Sequence, residues 1–298
     1  MGSKMKPHFS IIIPTYNRAK RLNRALGSVS AQIFTDFEVL IMDDGSTDDT
    51  KTVVESFQDP RFRYEWAPNS GGPATPRNRG IDAASADWIC FLDADDWWTA
   101  DKLQVCFDCI NNNVDLIYHD LEIITEQPRL FRRKTIRSWQ VKPPVLLDLL
   151  LNGNAISNSS VVVRKVLLEQ IGGINQSVEM IASEDYNTWL RIAKITEQFI
   201  YLPRRLGFYL QHDQNISKKD MSIPSRSAVA KFVTDLNEQQ KLKLEAGFRY
   251  TKSRFNFSSG NYAEAKLDLL FALLHGNLVT RTKGMIMLIK MGMNSFRV

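Results

Sequence analysis

The amino-acid sequence predicts an α/β protein: a Rossmann-like, mostly parallel sheet flanked by helices, with a helical extension at its C-terminal end. Three observations lead there. Short apolar runs alternate with segments of helical period through the front of the chain. Each run gives way to a polar, turn-rich loop, as strands do when they return through crossover helices to a parallel neighbour. Beyond about residue 216 the strand pattern stops, and helical periods and basic residues take over.

In chain order, Phe9 to Ile13, Phe37 to Met42, Phe62 to Trp66 and Asp87 to Leu92 read as strands bounded by turn residues. Between them, Arg18 to Ala31 sets Leu22, Ala25, Leu26 and Val29 on one helical face, and Thr47 to Phe57 and Ala74 to Ala84 supply the next two helices. Asp101 to Ile110 reads as a helix with Thr99 as its cap, Ser160 to Val163 as a further strand, and Ser183 as the N-cap of a helix through Lys194. Four tail helices follow: Ser227 to Ala246, Phe248 to Phe257, Tyr262 to Leu274 and Val279 to Met293.

Composition narrows the class. With 298 residues, 44% hydrophobic and 24% charged, the chain has a globular make-up, which excludes disorder, collagen and coiled coil. No apolar run approaches the roughly 18 to 20 residues of a bilayer-spanning helix. Met1 to Ser10 is too short for a secretory signal, so a cytoplasmic location is expected. Cys90, Cys106 and Cys109 are too few and too scattered for a disulfide framework. From Lys218 onward, 14 basic and 6 acidic residues leave +8, against 24 and 27, or −3, before it. An acidic front suits a metal-assisted site and a basic tail suits an anionic surface. The expected division is therefore residues 5–215, an acidic α/β domain, and residues 216–298, a helical, basic region.

Ligands of parallel sheets bind beyond the carboxyl ends of the strands. Those ends carry Pro14 to Arg18, Asp43 to Ser46 and Asp93 to Asp96. Five aspartates brought to one edge repel one another unless a cation joins them, and an Asp-x-Asp pair of oxygen donors suits Mg²⁺ or Mn²⁺ bridging substrate phosphates. Asp48 and Asp49 have a simpler use at a helix N-terminus.

Four stretches, SIIIPTYNR from Ser10, DFEVLIMDDGSTDD from Asp36, PRNRG from Pro76 and LDADD from Leu92, together resemble the family 2 glycosyltransferases of the GT-A fold, over roughly residues 8 to 215. The resemblance implies that residues 5–215 are a catalytic domain for inverting transfer of a sugar from a nucleotide diphosphate sugar, usually a UDP-sugar, with Mn²⁺ or Mg²⁺. It also implies roles: Pro14, Thr15 and Tyr16 along the nucleoside, Asp44 accepting from the uracil ring, Arg77 contacting the nucleotide, Asp93 near ribose or metal-bound water, and Asp95 as direct metal ligand. In Ser183 to Tyr186 it implies Asp185 as the base that takes the acceptor proton, and in Gly207 to Ser217 it implies His212 as an additional metal ligand. Asn158, Ser159, Gly172 and Gly173 resemble the region shaping the donor sugar pocket.

Two basic segments remain. Gln127 to Leu147 interleaves Arg129, Arg132, Arg133, Lys134, Arg137 and Lys142 with apolar residues and holds no acid. After Asp268 no carboxylate occurs, while Arg281, Lys283, Lys290 and Arg297 accompany apolar residues in the manner of an interfacial helix. The expected partners are a UDP-linked donor, a saccharide acceptor of lipid-linked type and an anionic membrane surface. That places the chain peripherally on the inner face of the plasma membrane. A metal-dependent sugar nucleotidyltransferase and a nucleic-acid-binding module are the alternatives. Glu184-Asp185 argues against the first, and the separation of the basic residues from the aspartates argues against nucleic acid.

Overall fold

Ile11, Ile12 and Ile13 in sequence send apolar side chains to both faces of a strand, so such a strand needs cover on both sides. β1 (Phe9–Thr15) is accordingly buried along its whole length. The computed structural model describes residues 6–125, 134–136, 138–213, 215 and 219–295. These form two compact units, one of the residues up to Val141 with Ala155–His212, the other of Lys142–Asn154 with the residues from Asp213 on.

In the first unit, β1 is followed by α1 (Ala19–Ser30), β2 (Phe37–Asp43), α2 (Thr50–Ser56), β3 (Phe62–Trp66), α3 (Ala74–Ala83) and β4 (Trp88–Phe91). Leu22, Ala25, Leu26 and Val29 are the buried residues of α1, the face read from the sequence. Then come β5 (Trp97–Trp98), α4 (Lys102–Asp108), β6 (Leu116–Thr125) and β7 (Lys134–Ile136). β8 (Val162–Arg164), α6 (Lys165–Gln170), α7 (Glu184–Ile192) and β9 (Phe199–Gln211) complete the unit, and α5 (Val145–Asn152) belongs to the other.

The described strands make one nine-stranded sheet in the order β3-β2-β1-β4-β8-β6-β9-β5, with β7 on β6. β1 pairs in parallel with β2 and β4, and β2 with β3, which aligns Thr15 with Asp43 and Asp43 with Trp66. Beyond β4 the sheet is mixed: β8 is antiparallel to β4 and β6, while β6 and β9 run parallel with a register shift around Asp120. The return strand β9 ends beside the DADD loop because β5 pairs with it at Gly207 and Phe208.

The second unit holds α8 (Ser222–Val229), a 3-10 turn over Ala230–Asp235, α9 (Glu238–Ser258), α10 (Tyr262–His275) and α11 (Leu278–Ser295). Here the structure corrects the sequence reading. No break separates Ala246 from Phe248; α9 runs through Gly247 without interruption. The break lies near Asn237, whose side chain accepts from the Gln240 N–H while Gln240 reciprocates to the Asn237 N–H, a capping box that fixes the helix start. Of the basic loop, Arg129, Arg132, Arg133 and Arg137 lie outside the described residues, as does Arg297 in the tail. Among the described residues no helix is long and apolar enough to cross a membrane.

Candidate functional site

Four residues of PRNRG on α3 have separate tasks. Gly80 lies so close to β1 that a Cβ would meet Ile12 Cγ2 at 2.5 Å, so α3 seats on the sheet only with glycine there. Asn78 donates to the Ile174 carbonyl and accepts from the Ile174 N–H, each at 2.8 Å, tying down the loop after α6. Arg79 donates to the Asp43 carbonyl at 2.7 Å. Arg77, 4% exposed, donates through one terminal nitrogen to Glu184 Oε1 at 2.6 Å and through the other to Asp93 Oδ1 at 2.7 Å.

That buried guanidinium joins two elements 107 residues apart in sequence. It is the charge that lets the two carboxylates approach, and they in turn keep it fully protonated against the cost of burial. Asp93 Oδ1 also accepts from Asn158 Nδ2 at 3.0 Å. The Ser159 hydroxyl accepts from the Asp93 N–H and donates to Asp96 Oδ2. Thus the 3-10 turn Asn158–Ser160 buttresses the DADD loop through side chains that local sequence pattern does not single out.

Asp95 Oδ2 lies 2.8 Å from His212 Nε2. The cause is Asp96, 2% exposed, whose other oxygen accepts from the Leu210 N–H at 3.1 Å and so draws the end of β9 against the loop. Burial and the neighbouring Asp95 and Asp93 carboxylates push the Asp96 carboxyl well above its ordinary range, as suits a structural tie. Among the described residues no three His, Cys, Asp or Glu side chains converge into a closed metal cage. The Asp95 and His212 pair nevertheless fits a hard divalent cation, because cis ligands of an octahedral ion at about 2.1 Å stand about 3.0 Å apart.

At the β1 and β2 ends, Asp43 is consumed by structure: its oxygens accept from Tyr64 Oη and the Ser46 N–H. Asp44 is 5% exposed and accepts from the Ser70 hydroxyl at 2.8 Å and from the Ser70 N–H. Gly45, next after Asp44, has φ 90°, and a Cβ would stand 2.6 Å from the Asn69 nitrogen. Asn17, at φ 49°, joins the same loop through the Ser46 hydroxyl and the Thr47 N–H. This leaves Tyr16 48% exposed beside a rigid turn, while Pro14 and Thr15 are buried in the strand. Asp48 accepts from the Ala19 and Thr50 N–H groups at the starts of α1 and α2, as its helix-terminus reading expects.

At the start of α7, Ser183 takes the N-cap position as the sequence predicts, with no side-chain cap bond. Asp185 Oδ1 instead accepts from the Tyr186 N–H at 2.6 Å. Ala182 just before has φ 75°, an uncommon conformation for a residue with a side chain, which turns the chain sharply into the Glu-Asp pair. Burial, reinforced by the adjacent Glu184 carboxylate, raises the Asp185 carboxyl to about 7, against the lowering pull of Arg77. The residue keeps partial solvent access. Thr99, by contrast, does not cap α4; Asp101 takes that position and receives the Thr99 hydroxyl.

The structure therefore joins Arg77, Asp93, Glu184 and Asp185 in one cluster and Asp95 with His212 in another, linked by the DADD loop. Thr15, Tyr16 and Asp44 form a third group at the ends of β1 and β2. The mixed sheet with its flanking helices has the GT-A fold, and the chain belongs to glycosyl transferase family 2, whose model matches residues 10–169.

Among its relatives, UDP-Glc:alpha-D-GlcNAc-diphosphoundecaprenol beta-1,3-glucosyltransferase WfgD of Escherichia coli is 31% identical over 186 residues, covering 62% of this chain and 69% of that protein. Staphylococcus aureus TarS 1-349, solved with UDP-GlcNAc, matches with TM-score 0.64 at 21% identity over 93% of this chain and 88% of that one. A mannosyltransferase of Pyrobaculum calidifontis, solved with GDP-Man and Mn²⁺, matches with TM-score 0.63 at 17% identity over 99% of this chain and 82% of that one. Both solved structures share the fold.

Proposed function

We propose that the chain moves a sugar from a UDP-sugar to a hydroxyl of a saccharide acceptor of lipid-linked type, with inversion at the anomeric carbon. The observation that carries this is the Arg77 bridge, which holds the DADD loop and the Glu184-Asp185 helix start together through one buried cation. The relative that acts on a diphosphoundecaprenol-linked sugar supports the acceptor class, and the UDP-GlcNAc-bound neighbour supports the donor class.

In this reading Tyr16 stacks along the nucleoside with Pro14 and Thr15 shaping the turn beneath it. The Asp44 carboxylate, oriented by Ser70, accepts the uracil ring N–H. Asp93 binds on the ribose side. Asp95 and His212 would hold Mn²⁺ or Mg²⁺, which supplies charge neutralisation for the leaving diphosphate. Arg77, which the resemblance places on the nucleotide, is assigned instead as a positioning residue, since both its terminal nitrogens are engaged by carboxylates.

Asp185 takes the acceptor proton. Its raised affinity for protons matches a base working near neutral pH, and its partial exposure gives the hydroxyl access. The acceptor oxygen forms its bond to the anomeric carbon as the bond to the departing UDP breaks; one displacement on the face opposite the leaving group inverts the centre. The C-terminal helical region is proposed to be accessory to the nucleotide motifs, which all precede residue 213.

The test is a panel of UDP-sugars with undecaprenyl-diphosphate-linked saccharides and Mn²⁺. The expected products are UDP and a glycoside of inverted anomeric configuration, read by NMR. Pyrophosphate release in place of UDP would mean nucleotidyl transfer, and retention would remove the single-displacement chemistry.

A further inference from the structure

The second unit leaves an apolar surface uncovered. In α10, Leu269 and Ala272 are fully buried, while Leu267, Leu270 and Leu274 stand 69%, 44% and 70% exposed. Positions 267, 270 and 274 lie on one stripe of a helix. In α11, Met287 and Met291 pack inward with Leu269, while Leu278, Met285 and Ile289 are 80%, 51% and 57% exposed at a spacing that again makes one stripe. Leu273 lies beside Gly284 of α11, so the exposed stripe of α10 borders the second helix. Isolated exposed leucines need no explanation, but two adjoining stripes on paired helices do.

The charges beside the stripes select the occupant. Arg281, Lys283 and Lys290 are exposed on α11, and no carboxylate follows Asp268 in the chain. The α11 surface carries these cations and no acid, so α11 set against α11 of a second copy would oppose like charges, and α10 offers only the exposed Glu264 and the half-buried Asp268 to receive them. An outward apolar stripe flanked by lysine and arginine matches instead a headgroup layer of negative charge above acyl chains. We infer that α10 and α11 form a docking surface for an anionic lipid bilayer, lying in the headgroup plane with Leu278, Met285 and Ile289 inserted and Lys283 and Lys290 at the phosphates. This stands on the helix surfaces alone and does not rest on the transfer reaction.

Sedimentation of the full chain with vesicles of phosphatidylglycerol and phosphatidylethanolamine, and with vesicles of phosphatidylcholine, tests it. Binding to the anionic vesicles is expected, with much weaker binding to the neutral ones. Each cation near such a surface is worth about a five-fold change in partitioning, so Lys283→Gln with Lys290→Gln should lower it about twenty-five-fold. Met285→Glu with Ile289→Glu should abolish it, since an inserted stripe cannot carry two carboxylates. Both pairs are solvent-exposed, and an unchanged far-ultraviolet circular dichroism spectrum and melting midpoint report that the variants fold. A chain that binds vesicles but not UDP supports the docking and counts only against the nucleotide reading. Equal partitioning of wild type and the Met285→Glu, Ile289→Glu variant would overturn the inference. So would an absence of vesicle binding together with a dimer that this variant dissociates, which would make the stripes a contact between copies.

Discussion

Replacing Arg77 with Met tests the central bridge at its most buried point. The Arg77 and Glu184 side chains are 5% and 6% exposed, whereas Asp93 is 32% exposed and can regain water, so the loss is dominated by Glu184. Glu184 Oε2 already has no hydrogen-bond partner among the described residues, and removal of the guanidinium would strand Oε1 as well. Taking one member from a buried ion pair costs about 3 to 5 kcal/mol. For a unit of this size each kcal/mol moves the midpoint by about 2 to 4 °C, so Arg77→Met should melt about 6 to 20 °C lower by circular dichroism. Arg77→Lys retains charge but not the two-pronged geometry and should fall between the two. Because Arg77 lowers the Asp185 proton affinity, the acid limb of transfer in Arg77→Lys should move to higher pH if the single ammonium stays on Asp93. Melting of Arg77→Met within about 2 °C of wild type would refute the buried bridge.

Further outcomes follow from the other contacts. Asp95→Ala should abolish the Mn²⁺ dependence of UDP binding measured by calorimetry, and His212→Ala should weaken it less because water can replace a neutral ligand; unchanged metal titration in both would remove the pair from the site. Transfer should rise with pH through about 7, as Asp185 loses the proton that blocks it. The same group has the opposite sign for stability: between its ordinary 3.8 and about 7 the folded chain holds a proton that the unfolded chain has released, so its contribution declines as pH rises across that window. Gly80→Ala should destabilise by about 1 to 3 kcal/mol in urea titration, because its methyl group collides with Ile12 and α3 must shift from β1.

The first four strands were legible because each is a short apolar run closed by turn residues, and α1 because its apolar positions recur at helical spacing. β9 was not, since Pro203, Arg204 and Arg205 interrupt its alternation and the ladder with β6 shifts register at Asp120. The two-residue β5 is too short for any period to register, and its pairing with Gly207 is a tertiary event. The Asn237 and Gln240 capping signal was present in the sequence, yet Gly247 drew the break to itself; burial of Leu244 and Phe248 on either side outweighs the cost of one helical glycine.

For the site, motif residues were visible and their connections were not. Nothing local ties Arg77 to Glu184 or Asp95 to His212, which are 107 and 117 residues apart. Asn158 and Ser159 were legible only as a region, because short polar side chains acquire their meaning from the carboxylates they meet.

The most direct test of the proposed chemistry is Asp185→Asn, which preserves shape but cannot take the acceptor proton. Measured as UDP release with saturating UDP-sugar, acceptor and Mn²⁺, turnover is predicted to fall about 10² to 10⁴-fold while the affinity for UDP stays at the wild-type value. Turnover near the wild-type rate would contradict Asp185 as the base and pass that role to Glu184.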